Sequence, residues 1–251
     1  MDSLYSKIHI NKKVICNIKM LFINPPFGNY INCPKTQSIH GSFTYNPRPG
    51  LFTQILKTLR YSFKYQGWVN KIGLRNPGLQ YAIQKYNRTD IISIAILEQN
   101  EIDKILDILP KEQNIELNVS CPNIDKGVFT KNLSKFINNS RDWCIIKLSP
   151  TTDTKLIDSY YQQGFRQFHC SNTLPVKEGG LSGNVLIPYT LKHINYLKKF
   201  EDVIIIAGGG VYDIETYNKY KKAGANHISI STILFNPLRF ALFYYDFINN
   251  N

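Results

Sequence analysis

The sequence predicts an α/β fold, a parallel (β/α)8 TIM barrel, from its length, its alternating segments and its strand count. A chain of 251 residues is long enough for one barrel of this kind. From residue 90 onward, short β-branched runs alternate with amphipathic stretches, the pattern of repeated βα units that feed a parallel sheet. No repeat, linker or low-complexity tract divides the chain, so we expect a single domain over residues 1–251.

The predicted strands are short and nearly all apolar, as strands covered on both faces must be. Six lie in the second part of the chain and two lie upstream, which gives the eight that a closed barrel needs. Their ranges are 20–23, 38–44, 91–96, 115–120, 144–148, 167–170, 203–207 and 227–231.

Amphipathic segments between these strands predict the helices. They cover residues 51–65, 101–109, 131–138, 154–163, 189–200, 214–223 and 237–248. Gly164 and Gly224 follow two of them and are typical of a left-handed helix end.

Two irregularities are expected near the start of the chain. Residues 24–37, rich in Pro and Asn, are too few for a normal crossover helix between parallel strands. The first βα unit is therefore predicted to be degenerate. Residues 4–19 are predicted to form an N-terminal hairpin below the barrel.

Composition and charge exclude several classes of protein. No apolar run approaches the length that spans a bilayer, and the N-terminus lacks the apolar block of a secretory signal, so we expect a cytoplasmic protein with no membrane association. The five cysteines are odd in number and widely spread, which argues against a disulfide framework or a metal site. The net charge of +12 comes from scattered residues and indicates a solvated basic surface rather than a nucleic-acid site. A homodimer is compatible with the sequence, which does not determine the oligomeric state.

Polar residues follow the predicted strands where catalytic groups of such barrels gather, at the carboxyl ends. Asn118 lies near the end of the fourth strand and Cys121 and Asn123 follow it, whereas Asn172 and Thr173 follow the sixth. Lys147 lies inside the fifth, where an ammonium group must meet an anion or a cofactor carbonyl unless it extends to the barrel rim. Cys121 is either a small buried side chain or a nucleophile or proton acceptor.

A phosphate site is predicted beside these polar ends. Gly209 and Gly210 follow the seventh strand, and Ser231 and Thr232 follow the eighth. In TIM barrels, glycine N–H groups and hydroxyls at these places bind phosphate, although a glycine triplet also occurs in a plain turn.

Several motifs together resemble the dihydroorotate dehydrogenase family in order and spacing. They are NKIGLRNPG at 70–78, LNVSCPN at 117–123, KLSP at 147–150, SNT at 171–173, GGLSG at 179–183 and GGG at 208–210. The resemblance extends over nearly the whole chain and implies an FMN enzyme that oxidises dihydroorotate to orotate in pyrimidine biosynthesis.

The resemblance also implies a role for each matching residue. Cys121 matches the base that removes the C5 proton while hydride leaves C6 for the flavin, and Lys147 matches the lysine beside the flavin. The substrate-binding positions are Asn70, Gly73, Leu74, Asn118, Asn123, Asn172 and Thr173. The FMN phosphate positions are Gly183, Gly209, Gly210, Ser231 and Thr232.

The chain departs from the family at two places. Gly41 stands where a lysine usually serves the flavin, so His40 or a water is expected to supply the missing donor, and Gly41→Lys is expected to improve FMN binding or reduction. Tyr30 stands where a small residue is usual, and we expect it against the flavin.

Two other functions remain open at this stage. One is a degenerate, non-catalytic barrel that retains FMN or ligand binding. The other is a tRNA dihydrouridine synthase-like reductase, although no residues remain for the extra RNA-binding domain of those enzymes. For the dehydrogenase, the sequence does not select among fumarate, quinone and an NAD-linked partner subunit as electron acceptor.

Overall fold

The computed structural model of the chain describes residues 20–119, 132–170 and 172–249. The predicted hairpin at 4–19 lies outside these residues. The strands in the described ranges, in chain order, are β1 Leu21–Ile23, β2 Thr36–Phe43, β3 Arg60–Ser62, β4 Gly67–Asn70, β5 Ile91–Ala95, β6 Ile115–Asn118, β7 Cys144–Leu148, β8 Gln167–Cys170, β9 Leu174–Val176, β10 Gly179–Gly183, β11 Ile204–Ala207 and β12 His227–Ile230.

Eight of these strands close into a parallel barrel, which confirms the predicted fold class. Their order around the barrel is β1, β2, β5, β6, β7, β8, β11 and β12. Strand β1 closes the ring because Leu21 pairs with Thr36 of β2 on one side and with Ile228 of β12 on the other.

Helices follow most of the barrel strands. They are α1 Leu51–Thr58, α2 Leu79–Lys85, α3 Glu101–Ile108, α4 Thr154–Gln162, α5 Ile187–Leu197, α6 Ile214–Ala223 and α7 Pro237–Asn249. Gly164 after α4 and Gly224 after α6 have φ of 102° and 116°, as predicted for left-handed helix ends. Between β1 and β2 only a 3-10 turn forms, Phe27–Asn29, so the first βα unit is degenerate as predicted.

Two predicted helices are wrong in part. The helix predicted over 51–65 ends at Thr58, and the chain then forms β3, because Arg60 to Ser62 pair antiparallel with β4. In the segment predicted as a helix over 131–138, the described part contains only the 3-10 turn Leu133–Phe136.

A second, antiparallel sheet lies beside the barrel and was not predicted. Its strand order is β3, β4, β10 and β9. Gly180 of β10 pairs with Asn70 of β4, and Gly183 pairs with Gly67. This sheet therefore brings two of the motif segments, 70–78 and 179–183, next to each other.

The apolar core has two parts because successive residues of each barrel strand face opposite sides. The larger part lies between the strands and the helices and includes Ile146 and Phe168. The smaller part fills the lower interior of the barrel and comprises Phe22, Ile39, Ile91, Trp143, Ile145, Ile204 and Ile206. In the described ranges, no helix is both long and apolar enough to cross a membrane.

Candidate active site

A polar layer lies in the barrel interior directly above the lower apolar cluster. Two positions beyond Phe22, Ile91 and Ile145, and therefore on the same inward face, are Asn24, Ser93 and Lys147. Glu116, His169 and Ser229 complete this layer, and all three are 0% exposed. The carboxyl half of the interior is thus built from hydrogen-bonding and charged groups.

Glu116 is the centre of this layer. Its Oε1 accepts hydrogen bonds from Ser93 Oγ at 2.8 Å and from Lys147 Nζ at 3.2 Å. Its Oε2 lies 2.5 Å from His169 Nδ1. A buried carboxylate with three donors meets the condition under which a charge is tolerated inside a protein.

The charges in this layer follow from these contacts. Burial acts to raise the pKa of Glu116, but Lys147, His169 and the hydrogen bonds from His169 and Ser93 lower it to about 2. Burial lowers the pKa of His169, against the opposing effect of Glu116. Near neutral pH the layer therefore holds the Glu116 carboxylate beside a neutral His169 imidazole.

The second nitrogen of His169 faces β1 and β12. Nε2 lies 2.7 Å from Ser229 Oγ and 3.3 Å from Asn24 Nδ2. Asn24 Nδ2 also donates to Ser229 Oγ at 3.0 Å. The hydrogen-bonded chain from Glu116 thus continues across the barrel to the strand that closes it.

In the other direction the same series of hydrogen bonds reaches the rim at the carboxyl end of the barrel. Ser93 Oγ lies 2.9 Å from Ser42 Oγ, which accepts from Asn118 Nδ2 at 3.0 Å. Asn118 Oδ1 accepts from Asn172 Nδ2 at 3.1 Å. Two amides predicted to bind the substrate are therefore in direct contact at the mouth of the barrel, which is its carboxyl end. Ser42 and Ser93 link them to the charged layer.

Two more predicted substrate residues lie on the second sheet. Asn70 ends β4 opposite Gly180, and Thr173 packs on that same glycine, where an added Cβ would lie 2.5 Å from Thr173 Oγ1. The sheet therefore brings Asn70 and Thr173 to the same place, although the sequence separates them widely.

The loop after β4 carries Gly73 and Leu74. It is anchored by buried Asn76, whose Nδ2 donates to Leu74 O at 2.6 Å and to Thr44 Oγ1 at 2.9 Å. Thr44 directly follows β2. The loop that contains both predicted residues is thus attached to the barrel rim.

The glycine turn after β11 presents free N–H groups. The Gly208 carbonyl accepts from Thr190 Oγ1 at 2.7 Å, and the Gly209 carbonyl accepts from the Tyr220 hydroxyl at 2.6 Å. Because a trans peptide directs its N–H opposite to its carbonyl, the N–H groups of Gly209 and Gly210 point away from these helix residues. Within the described ranges neither of these two N–H groups donates a hydrogen bond.

Two of the predicted phosphate positions, Gly183 and Gly210, lie against each other at this turn, and two others follow the neighbouring strand β12. An added Cβ on Gly210, whose φ is 74°, would lie 3.0 Å from the carbonyl oxygen of Gly183. Ser231 Oγ donates to Pro25 O at 3.3 Å, and Thr232 begins the next 3-10 turn. The turn has the features of an anion cradle: close glycine backbone, free N–H groups and neighbouring hydroxyls.

A cavity of about 290 Å³ opens beside Thr232 and Asn184. Its walls are mainly aromatic and amide side chains, together with one guanidinium. They are Tyr61, Gln66, Trp68, Asn184, Tyr212, Thr232, Phe235, Asn236 and Arg239. Arg239, which the sequence analysis did not single out, lies 5.7 Å from the Tyr212 ring and adds a positive charge near the cradle.

Cys121 and Asn123 lie outside the described residues. Their predicted roles as proton acceptor and substrate ligand stay predictions. Cys170, by contrast, is buried in the barrel wall and Cys144 is half-buried there, and desolvation raises the pKa of both thiols, that of Cys144 to about 12. Neither thiol has the environment of a reactive cysteine.

The structure contradicts the expected donor role of His40, and it does not support the expectations for Tyr30 and Gly41. His40 stacks on Tyr86 at 3.9 Å between ring centroids and so faces the helix layer. Tyr30 is 75% exposed, away from the interior. Gly41 has φ of 124°, and an added Cβ would lie 2.7 Å from the Ser93 carbonyl oxygen, so lysine does not fit there without a shift of the backbone.

Sequence reasoning missed Glu116, Ser93 and Ser229. A signal for Glu116 was present, because a charged residue inside an apolar strand is the same anomaly that singled out Lys147. The two serines carry no such signal, since serine is common in strands and turns alike.

Two known proteins are similar to this chain over much of its length. The chain is 30% identical over 206 residues to dihydroorotate dehydrogenase B (NAD(+)), catalytic subunit, of Petrotoga mobilis, which covers 68% of this chain and 69% of that protein. It is 25% identical over 264 residues to the protein of the same name in Thermotoga maritima, covering 86% and 93%. No family model matches the sequence.

Solved structures show the same fold. The crystal structure of DHODH in complex with ferulenol from Eimeria tenella superposes with a TM-score of 0.64 at 17% identity, covering 84% of this chain and 74% of that one. The fold and these relatives together define an oxidoreductase built on a (β/α)8 barrel. The chain belongs to the dihydroorotate dehydrogenase family, whose members are flavin-dependent, as a divergent member.

Proposed function

We propose that this chain is an FMN-dependent enzyme that oxidises dihydroorotate to orotate in pyrimidine biosynthesis. The observation that carries the proposal is a buried lysine below the amides at the carboxyl end of the barrel. Beside it lies a glycine turn with two N–H groups that have no hydrogen-bond partner in the part of the chain that the structure describes. A flavin needs these two features, an anion cradle for its phosphate and a positive charge near its ring.

The residues present fit FMN. Gly209 and Gly210 would hold the phosphate with Gly183, Ser231 and Thr232, and Lys147 would face the ring. When bound, FMN would accept the hydride that leaves C6 of the substrate. The ammonium group of Lys147 would favour the negative charge that the reduced ring acquires.

The amides at the mouth fit dihydroorotate. Its ring carries both amide donors and amide acceptors, which Asn118 and Asn172 match with their own. Asn70 and Thr173 meet on the second sheet, and Gly73 and Leu74 lie on the loop tied to the rim. Together with Asn123, these residues would orient the ring and its carboxylate.

The proton at C5 would go to the thiolate of Cys121 as the hydride leaves C6, so that the substrate loses one proton and one hydride to become orotate. For the electrons, the name of the relatives carries NAD(+), which favours an NAD-linked acceptor over fumarate or quinone.

The test is the flavin content and the reduction rate of the purified protein. We expect bound FMN, released on denaturation, and bleaching of its absorbance by dihydroorotate under anaerobic conditions. Cys121→Ala should retain FMN and slow the reduction by roughly 10²- to 10⁴-fold, the usual effect of losing a general base.

Cys33→Ala is the matched control, because Cys33 is a half-buried thiol within the degenerate first unit, between β1 and β2. It should reduce at the wild-type rate. A colourless protein that takes up no added FMN contradicts the proposal, and an unchanged rate in Cys121→Ala assigns the base to another residue.

The non-catalytic barrel remains the second candidate, and one observation favours it. Gly41 leaves no room for the family's lysine, so this cation is absent from the interior. A protein that binds FMN in full but is not reduced by dihydroorotate would support this alternative.

A further inference from the structure

His169 lies between the charged pair and the strand that closes the barrel. Glu116 and Lys147 are the charged groups that act on it among the described residues, and Asn24, Ser229 and Gly208 complete its surroundings. The proposed role of Lys147 beside a flavin explains why an ammonium group lies in the barrel interior. It does not explain why the carboxylate also binds a fully buried histidine.

The hydrogen-bond directions around neutral His169 are fixed by the carboxylate. Because ionised Glu116 only accepts, Nδ1–H of His169 donates to it, and Nε2 must accept the hydroxyl hydrogen of Ser229. Asn24 Nδ2 donates to the same Ser229 oxygen. This arrangement leaves Asn24 Oδ1 buried without a hydrogen-bond partner among the described residues.

Protonated His169 would use that unpartnered oxygen. Its Nε2–H would donate to Ser229 Oγ, so the Ser229 hydroxyl hydrogen would need another acceptor. A half-turn of the Asn24 amide exchanges Nδ2 and Oδ1 and places Oδ1 toward Ser229. The site therefore accommodates both protonation states of His169 through side-chain rotations alone, with the backbone in place.

Reduction of a bound flavin would give a reason for the protonated state of His169. An added negative charge above Lys147 attracts the ammonium group that now compensates Glu116, and an uncompensated buried carboxylate is costly. We propose that His169 takes up one proton when the bound flavin is reduced, and so acts as a positioning residue that keeps Glu116 paired while Lys147 serves the flavin. This inference rests on the proposed FMN site.

The test is the pH dependence of the flavin midpoint potential in wild-type protein and His169→Gln. Each proton taken up with the two electrons changes the equilibrium constant tenfold per pH unit, which is about 29.6 mV for a two-electron couple. We expect the wild-type slope around neutral pH to be steeper by about this amount. His193→Gln, a buried histidine on α5 that bonds Thr152 O, is the control and should keep the wild-type slope.

Equal slopes in wild type and His169→Gln overturn the inference while FMN binding still stands. Failure of the wild-type protein to bind FMN, seen by absorbance, overturns the proposed function and the inference with it. Should His169→Gln not fold, nitrogen NMR of wild-type histidines gives the answer. The His169 ring should carry one proton with oxidised flavin and two with reduced flavin, and one in both states contradicts the proposal.

Discussion

Lys147 is held in the barrel by the carboxylate of Glu116. Both side chains are largely hidden from solvent, at 8% and 0% exposure, so each depends on the other for compensation of its charge. In such a pair the attraction roughly offsets the loss of hydration, and removal of one member leaves a buried charge without its partner.

Lys147→Met tests this dependence. The free energy of unfolding should fall by about 3–5 kcal/mol, because Glu116 remains buried with only its hydrogen bonds from Ser93 and His169. Urea denaturation measures the change. The double variant Lys147→Met, Glu116→Gln should recover part of the loss, since the unpaired charge is then gone.

Lys199→Met is the control for the same experiment. Lys199 pairs with Asp158 at 2.8 Å on the surface, where solvent screens the interaction. Its loss should change the stability far less than that of Lys147. Equal effects of the two substitutions would show that burial does not govern the Lys147 pair.

At the residue scale, the sequence identifies groups whose chemistry conflicts with their predicted burial. Lys147 was found in this way, and Glu116 carries the same signal. Asn118 and Asn172 were predicted from their positions near or after the ends of strands, and the structure brings them into contact. Their link to Glu116 through Ser42 and Ser93 depends on side chains from β2, β5, β6 and β8 meeting at one end of the barrel, and no local pattern records that.

At the scale of elements, the buried strands were predictable and the second sheet was not. Each barrel strand is apolar enough to be recognised alone. Strand β3 is instead defined by its pairing with β4. From the sequence alone, its residues are equally compatible with the end of the preceding helix. Pairing with the following strand overrides the local helical preference of these residues.

Helix α7 packs on the rest of the barrel through one of its faces. Phe247 is 1% exposed and meets the Tyr217 ring of α6 at 5.8 Å between centroids, whereas Leu242 is 62% exposed. Phe247→Ala should lower the free energy of unfolding by about 3–5 kcal/mol, because it removes a large buried ring and leaves a cavity.

Leu242→Ala on the same helix should change the stability by no more than about 0.5 kcal/mol. Thermal or urea unfolding of both variants separates the two faces. A larger loss for Leu242 than for Phe247 would mean that α7 packs through its other side.

At the scale of the whole molecule, the barrel interior is apolar at one end and ionised at the other. His227 lies at the apolar end, edge-on to Phe22 and Trp143 at 5.6 and 5.7 Å. Its Nδ1 accepts from Met20 N at 3.3 Å, which only the unprotonated nitrogen can do. Burial and the nearby Lys221 lower its pKa from 6.5 to about 4.

This histidine should make the protein sensitive to acid. Between pH 6.5 and about 4 the unfolded chain binds a proton at His227 that the folded chain does not, so the stability falls as the pH falls. The contribution is about 1.4 kcal/mol per pH unit. Urea denaturation at several pH values should show a shallower decline for His227→Phe than for wild type, and parallel declines would contradict the assignment.

The closure of the barrel was predicted by strand count alone. Eight apolar runs indicated a ring, but the pairing of β1 with both β2 and β12 was an expectation from the fold class and not from any residue of β1. The degenerate first unit was visible because its length excludes a crossover helix.

The polar layer of the interior links residues on seven of the eight barrel strands or directly after them, from Asn24 through Ser42, Ser93, Glu116, Lys147 and His169 to Ser229. Such a layer constrains how the sequence can evolve. A substitution at one member leaves partners unsatisfied on other strands, so changes that are harmful singly become tolerable only in combination. The same dependence between positions applies to Gly41, because a lysine there first requires a different backbone beside Ser93. The interior is therefore expected to change in coordinated sets, while the exposed face drifts one residue at a time.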